Sequence, residues 1–306
     1  MNNIIETKNL TKEFEDVVAV NGVDLEVEEG SIHGFVGPNG AGKTTTMRML
    51  VGTLKPTKGE AYIGGETAGS LAAKEIIGYS PQFPQFYGSM TGLDYLEYMG
   101  RMAGIGSKAE KRAKVLLKWL GLKKYEDKKV GGYSGGMKRK LSLAQAMIHE
   151  PELLILDEPT ATLDPAGRMS IIESLEKLTK EKGMTVFVSS HVLTELEKFI
   201  DHVTILNEGE VVTSNTLDEL AETYASEAYL ISTSDNEKVL DLIEDKSFVN
   251  RAWLDDDDNV NVLTSEPEEF KSELVGMIAK KDLRLDSLTR AGGLEDAFIK
   301  AIEEKK

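Results

Sequence analysis

One stretch of nine residues has the composition and spacing of a phosphate-binding loop. It consists of Gly37, Pro38, Asn39, Gly40, Ala41, Gly42, Lys43, Thr44 and Thr45. The glycines let successive backbone N–H groups point at an anion, and a following helix adds the positive end of its dipole. Lys43 can reach the β- and γ-phosphates, and the Thr44 hydroxyl can bind Mg²⁺. The stretch predicts a nucleoside-triphosphate site; the alternative is a glycine-rich turn with an incidental lysine.

Two carboxylates form the second candidate group. They follow a run of four apolar residues, 153–156, which is typical of a strand buried on both faces of a parallel sheet. Ligands of open α/β sheets bind at the carboxyl ends of such strands. We therefore expect Asp157 to hold Mg²⁺, directly or through a water, and Glu158 to polarise an attacking water. Two solvated loop acids are the alternative.

Two ring side chains could complete the site. His191 follows another apolar run, 185–188, so its imidazole is expected to face the same crevice and contact a γ-phosphate. Phe14, upstream of the loop, offers a flat face on which a purine ring can stack. Taken alone, an aromatic at such a position is more often an ordinary core or turn residue.

A second glycine-rich stretch precedes a predicted helix at about 137–149. Ser134, Gly135 and Gly136 could form another anion-binding helix start, although Ser-Gly-Gly is also common in linkers. Upstream, residues 91 to about 122 carry apolar side chains at helical spacing, which predicts a helical insertion between the phosphate loop and the next strand. Residues 4–10 and 17–27 alternate between apolar and polar, which predicts an antiparallel edge sheet.

Composition bounds the class of protein. The 306 residues are 41% hydrophobic and 29% charged, as in a soluble globular protein with one large and one smaller domain. The chain has no cysteines, so it has no disulfides and no thiolate site. It shows neither a secretory signal nor an apolar run long enough to cross a bilayer, which predicts a cytoplasmic location. The net charge is −16, and general nucleic-acid binding is not expected, although a local basic patch stays open.

In this order the motifs resemble those of the ATP-binding cassette (ABC) ATPases, over roughly residues 4–220. The resemblance implies ATP and Mg²⁺ as ligands and assigns roles motif by motif. Residues 37–45 match the Walker A loop, with Phe14 at the adenine-stacking position. Residues 153–157 match Walker B, and Glu158 matches the catalytic glutamate. Other matches are Gln82 of the Q-loop, which contacts Mg²⁺ or the attacking water, the signature motif at 133–137, Asp164 of the D-loop and His191, the switch histidine.

The signature departs from the family's commonest form. It reads Tyr-Ser-Gly-Gly-Met here instead of Leu-Ser-Gly-Gly-Gln, and Met137 lacks a hydrogen-bonding side chain. Thr162 stands where a glycine is usual before the D-loop, which puts fine dimer geometry in doubt. The signature, together with the sequence at 293–298, looks like the branch that serves ABC-2-type drug, antibiotic and sodium exporters.

Membership in that branch implies particular partners. Two copies would pack head to tail on binding ATP, each ATP lying between one Walker A loop and the opposite Ser134, Gly135 and Gly136. A separate multi-span transmembrane permease would carry the cargo and hold the chain on the inner face of the cell membrane. Residues 83–87 and the helix after Leu93 are expected to contact it, because the segment directly follows Gln82 and carries apolar aromatics at a turn; internal packing of those aromatics is the alternative. The alternative function is a soluble ATP-driven clamp on a non-membrane partner. A P-loop kinase or GTPase is a weaker alternative, because the sequence has no guanine-reading Asn-Lys-x-Asp stretch and the signature motif would be unexplained.

The sequence predicts an α/β fold of the P-loop NTPase (ABC ATPase) class, with an antiparallel β subdomain and a helical subdomain at about 85–150. The domains are expected to be a cassette, 1–220, and an accessory α+β domain, 221–306. In the latter the predicted order is βαββαβα, that of a ferredoxin-like sandwich. Its final helix, 294–304, carries an apolar stripe that either joins two copies or packs on its own sheet.

Overall fold

The computed structural model describes residues 2–161, 163–191, 196–224, 227–255, 258–281 and 283–290. The chain divides into two compact units, Met1–Thr216 and Leu217–Lys306, so the division lies four residues before the boundary expected from the sequence. In the described residues no helix is long and apolar enough to span a membrane.

The strands of the first unit are β1 Asn3–Phe14, β2 Val17–Glu28, β3 Ile32–Val36, β4 Lys58–Ile63, β5 Glu66–Thr67, β6 Ile77–Ser80, β7 Leu153–Leu156, β8 Thr185–Ser190, β9 His202–Asn207 and β10 Glu210–Thr216. Its helices are α1 Lys43–Leu50, α2 Leu71–Ile76, α3 Gly92–Met102, α4 Ala109–Trp119, α5 Gly135–Ala146 and α6 Pro165–Lys182.

A six-stranded sheet forms the centre of the first unit. Its strand order is β10-β9-β3-β8-β7-β6, and all neighbouring pairs are parallel except β10 with β9. Every residue of β3, β7 and β8 is buried, as expected of strands covered on both faces. The carboxyl ends of β3, β7 and β8 therefore lie side by side, and each carries a predicted site motif.

A second sheet, of order β2-β1-β4-β5, is antiparallel, as the alternation of residues 4–10 and 17–27 predicts. It shares a hydrophobic core with helix α1 and the central sheet, which includes Leu10, Leu25, Met47 and Phe187. This packing places β2 beside the phosphate loop.

The predicted helical stretch at 91–122 is interrupted. It consists of α3 and α4, and a turn containing Gly104 and Gly106 separates them. Both glycines have a positive φ, which ends a right-handed helix at low cost. Apolar periodicity alone did not reveal this break, because the buried positions of α3 and α4 continue the same spacing.

In the second unit, α7 Leu217–Tyr224 precedes an antiparallel sheet of order β12-β13-β11-β14. The elements are β11 Glu227–Thr233, α8 Asn236–Ile243, β12 Arg251–Leu254, β13 Val260–Thr264, α9 Pro267–Lys280 and β14 Leu285–Arg290. Ile231, Ile243, Val262, Phe270 and Leu274 contribute to its own core. The predicted helix at 294–304 lies outside the described residues, as does part of the acidic turn at 255–258.

Candidate nucleotide site

The phosphate loop, residues 37–45, joins the end of β3 to the start of α1. A Cβ atom at Gly37 would lie 2.2 Å from the carbonyl oxygen of Leu206, and one at Gly42 would lie 2.4 Å from that of Ala19. Gly42 also has φ +104°, and no side chain caps the helix that follows it. Glycine is required at both places, and the first N–H groups of α1 stay available to an anion.

Lys43 reaches from α1 back into this loop. It is only 6% exposed, and its Nζ donates to the carbonyl oxygens of Gly37, at 2.6 Å, and Pro38, at 3.1 Å. The carboxylate of Glu158 lies 3.9 Å from Nζ. Burial lowers the pKa of Lys43 from its ordinary value, an effect that Glu158 and Asp157 partly oppose. The ammonium is thus held where it can meet phosphate oxygens.

Asp157 follows β7 and is almost fully buried. Its Oδ1 accepts hydrogen bonds from the hydroxyls of Thr44, at 3.2 Å, and Ser189, at 2.8 Å. Its Oδ2 is buried and has no partner among the described residues. Burial raises the pKa of Asp157, and the two hydroxyl donors oppose that effect. An unpaired carboxylate oxygen beside a threonine hydroxyl suits a hard divalent cation such as Mg²⁺.

Glu158 is the most contacted carboxylate of the site. Its Oε2 accepts from Nε2 of Gln82 at 3.2 Å, and its Oε1 lies 3.1 Å from Nδ1 of His191. The backbone N–H donates to Ser189 Oγ at 2.9 Å. Glu158 has φ +48°, a left-handed conformation that is uncommon outside glycine and often found at functional positions. The structure therefore brings Gln82, Glu158 and His191 together beside Lys43.

Two further residues position the site, and the motif analysis assigned neither. Ser189 links Asp157 to the backbone of Glu158, and its signal was a hydroxyl at the end of a buried strand. Arg139, on α5, is buried and donates to the carbonyl oxygen of Pro81 at 3.1 Å, directly before Gln82. Burial lowers the pKa of Arg139, and Asp157 and Glu158 oppose this. In the sequence Arg139 is marked only by its position on the helix face that also carries Ser142, Leu143 and Ala146.

These groups open onto a cavity of about 760 Å³. Its lining includes Asn39, Gln82, Gly135, Arg139, Glu158 and His191. A smaller adjoining pocket is lined by the phosphate loop from Asn39 to Thr45 together with Gln82 and Glu158. The space is therefore continuous with the groups that can contact a triphosphate and an attacking water.

Other predicted site residues lie apart from this cluster. Phe14 is 44% exposed, lines neither cavity, and has the Lys12 ammonium 5.0 Å from its ring centroid. Ser134 caps α5 by accepting from the N–H of Met137 at 3.3 Å. Asp164 caps α6 by accepting from the N–H of Gly167 at 2.9 Å. Within one chain these two polar side chains serve as helix caps.

Comparison with known proteins agrees with this geometry. Residues 20–161 match the family model for ABC transporters. The chain is 36% identical to the bacitracin transport ATP-binding protein BcrA of Bacillus licheniformis, over 99% of this chain and 98% of that one. It is 33% identical to the Nod factor export ATP-binding protein I of Burkholderia lata, over 97% and 96% of the two chains.

Solved structures give the same result for the fold. The ATP-binding cassette MJ0796, in a dimeric post-hydrolysis state bound to ADP and Pi, aligns with a TM-score of 0.64 and 29% identity. That alignment covers 70% of this chain and 98% of the cassette. The chain binds and hydrolyses ATP, and it belongs to the family of ABC transporter ATP-binding proteins.

Proposed function

We propose that this chain is the ATPase subunit of an ABC-2-type exporter and drives transport through a separate multi-span permease. The contact set at Glu158 carries the proposal for the energy-coupling step, because it supplies a base, its orienting partners and a cation in one place. BcrA, named for bacitracin transport, and the Nod factor export protein match 99% and 97% of this chain, so the first name supports transport and the second supports export as its direction.

Hydrolysis in this scheme depends on Glu158. Its carboxylate accepts a proton from a water that attacks the γ-phosphate, while Gln82 and His191 hold the carboxylate in place. Lys43 turns from the carbonyl oxygens of Gly37 and Pro38 towards the phosphate oxygens and stabilises their charge. Arg139 fixes the backbone before Gln82, and so acts as a positioning residue.

Mg²⁺ fits the donor set beside the phosphate loop. Thr44 and Asp157 would hold the ion, directly or through water, and Gln82 lies next to them. The buried, unpaired Oδ2 of Asp157 supports this assignment. When bound, Mg²⁺ neutralises charge on the β- and γ-phosphates.

Two copies assemble head to tail around ATP in this proposal. Gly135 at the start of α5 is exposed, and nothing lies within 4 Å of a Cβ placed there, so a phosphate can approach this helix end closely. Ser134, Gly136 and Asp164 would then contact the nucleotide of the opposite copy, and Phe14 would stack on adenine. The solved cassette MJ0796 is dimeric, which supports the arrangement.

The permease is expected to contact residues 83–87 in the cytoplasm, at the inner face of the membrane. Phe83 is 75% exposed and Tyr87 is 58% exposed, an unfavourable arrangement unless a partner covers them. Phe86 packs edge-on against Tyr95, with ring centroids 5.3 Å apart, and Tyr87 lies edge-on to Tyr98 at 5.9 Å, so internal packing accounts for Phe86 and for part of the Tyr87 ring. Phe83 and Tyr87 are therefore the contact residues of the proposal.

The second unit has an accessory role. Its strand order β12-β13-β11-β14, with α8 and α9 as the crossovers, supports a ferredoxin-like sandwich. In its described residues no group of three or more His, Asp or Glu side chains could hold a metal. We propose that it modulates the pairing of two cassettes.

The test is co-purification from membranes. The wild-type chain should purify with a multi-span subunit, and Tyr87→Glu should release that subunit while basal ATPase stays intact, since Tyr87 does not line the nucleotide cavity. Phe86→Leu serves as the control, since it keeps an apolar contact with Tyr95. Recovery of the wild-type chain with a non-membrane partner only would instead support the soluble clamp.

A further inference from the structure

A separate cavity lies near the amino end of β7, whereas the nucleotide site lies at the carboxyl ends of the strands. Its volume is about 350 Å³, and Glu150 on its rim precedes β7, whose other end leads to Asp157. The residues that line it are Ile105, Lys108, Lys111, Arg112, Val115, Ile148 and Glu150. None of them lines the two cavities described above.

The lining combines an apolar floor with three cations. Ile105, Val115 and Ile148 supply the apolar surface, and Val115, on α4, is 49% exposed. Lys108 and Lys111 are exposed and form no ion pair among the described residues. They lie at positions i, i+3 and i+7 with Val115, which places all three on one side of the helix.

Arg112 is the third cation, and only some of its guanidinium N–H groups have hydrogen-bond acceptors. Its Nη1 pairs with Glu150 at 3.1 Å, and its Nη2 donates to the carbonyl oxygen of Met147 at 3.2 Å. Its Nε is buried and has no acceptor among the described residues. A buried donor without a partner costs free energy, which a nearby acceptor would relieve.

Positive charge is concentrated in the segment that supplies most of the lining. Residues 108–115, which include four of the seven lining residues, contain four lysines and arginines against one acidic residue, whereas the whole chain carries −16. At physiological ionic strength charges interact over about 8 Å, so an approaching anion responds to this local surplus and not to the distant acidic residues.

We propose that this cavity binds the headgroup of an anionic phospholipid at the membrane surface. The phosphate meets Lys108, Lys111 and Arg112, and the glycerol and first acyl carbons cover the floor formed by Val115 and its neighbours. The volume holds roughly a dozen water-sized groups, enough for a headgroup, so the acyl chains stay in the bilayer. A nucleic acid would satisfy the cations but leave the apolar floor uncovered.

The inference depends on the proposed exporter role only for the presence of a membrane nearby. Lipid binding can be measured on the isolated full chain, whereas exporter function requires the permease. Failure of one therefore leaves the other standing.

Vesicle flotation tests the site. The wild-type chain should float with vesicles that contain phosphatidylglycerol and not with phosphatidylcholine alone. Lys108→Gln with Lys111→Gln should weaken this binding about 30-fold at low salt, since each surface cation contributes substantially to attraction by an anionic leaflet. Removing these cations from the start of α4 does not oppose its helix dipole, so folding should be retained.

Two controls separate a built site from diffuse attraction. Lys128→Gln with Lys129→Gln removes the same charge from residues that do not line the cavity, and should have a much smaller effect. Val115→Gln changes no charge but should weaken binding several-fold. ATP hydrolysis should be unchanged in every variant.

Three results would overturn the proposal. The two double variants could bind equally weakly, or Val115→Gln could bind like the wild type, and either would indicate diffuse electrostatic attraction. In the third result, a single-stranded oligonucleotide or soluble glycerol phosphate displaces the wild-type chain from vesicles and also binds the Val115→Gln variant as well as the wild type. The competitor that does so, a nucleic acid or a free phosphate, would then be the ligand.

Discussion

Glu158 is fitted to act as a base because its contacts come from three separate elements of the first unit. Gln82 reaches it from the end of β6, His191 from the end of β8 and Lys43 from the start of α1. Three separate parts of the chain thus converge on one carboxylate, and its left-handed backbone turns the side chain towards them. Such strain at a buried residue is maintained only where the surroundings fix it.

Replacing Glu158 with Gln should separate binding from hydrolysis. The amide keeps the shape of the side chain but cannot accept a proton, so the rate should fall by about 10²–10⁴, the usual contribution of a general base. ATP affinity should persist, and an ATP-bound dimer should accumulate. Size-exclusion chromatography with MgATP and a phosphate-release assay measure the two effects. A monomeric variant that hydrolyses normally would exclude Glu158 as the base.

His33 gives the fold a dependence on acid. It is buried on β3, bonds to Thr204 Oγ1 at 2.8 Å, and burial, followed by the nearby His202, lowers its pKa to about 3. The unfolded chain binds a proton at this position near pH 6.5, so stability is complete above that pH and falls as pH drops towards 3. Between pH 7 and pH 5 the loss from this group is about 2 kcal/mol.

The variant His33→Gln tests this because glutamine can bond Thr204 without titrating. Urea unfolding at pH 7 and at pH 5 should show the variant losing about 2 kcal/mol less than the wild type on acidification. Equal losses in both proteins would show that another group governs the acid sensitivity. ATP binding at pH 7 checks that the variant is folded.

The residues of the site differ in how visible they are in the sequence. The phosphate loop and the pair Asp157 and Glu158 are predictable because each depends on a local pattern, a glycine-rich turn or an apolar run followed by acids. Arg139 and Ser189 act through contacts with residues 58 and 31 positions away, which no local spacing indicates. The stacking role of Phe14 was favoured over an ordinary core or turn role only through the resemblance, and it stays a proposal.

At the scale of elements, the start of α3 and the signature stretch hold each other. Residues 88–93 hydrogen-bond with residues 126–131, including Gly131 N–H to the carbonyl oxygen of Gly88 at 3.0 Å. Tyr133 packs against Gly92 and donates its hydroxyl to the carbonyl oxygen of Tyr125 at 2.8 Å. Movement of the segment before α3, the proposed permease contact, is thereby linked to Ser134.

The contact between Gly92 and Tyr133 can be measured by a double-mutant cycle. A Cβ at residue 92 would lie 2.1 Å from the tyrosine hydroxyl, so Gly92→Ala should cost about 1–3 kcal/mol in the wild type. In a Tyr133→Leu background the hydroxyl is gone and the cost should nearly disappear. Urea unfolding of the four proteins gives the coupling. An equal cost in both backgrounds would show that the two residues do not constrain each other.

At the scale of the whole molecule, the first unit carries the nucleotide site and the second carries most of the net negative charge. All the predicted site residues lie in the first unit, and residues 218–306 carry −12 of the net charge of −16. Each unit has its own hydrophobic core. In the second unit the order βαββαβ was predictable, because the alternation of apolar strands and periodic helices is local. The exact ends of strands were not, since they depend on pairing with distant partners.

This division predicts that residues 1–216 fold and bind ATP alone. Their core and the contacts of Lys43, Asp157 and Glu158 lie within the unit, so ATP affinity should stay within about twofold, a change smaller than that from losing one hydrogen bond. With Glu158→Gln, MgATP should still induce dimers, because the groups proposed to face ATP are all retained. Dimers without nucleotide should become weaker if the second unit modulates pairing. Sedimentation of both lengths, with and without MgATP, distinguishes the cases: an unfolded short chain would contradict independent folding, and equal nucleotide-free dimerisation would exclude the second unit from pairing.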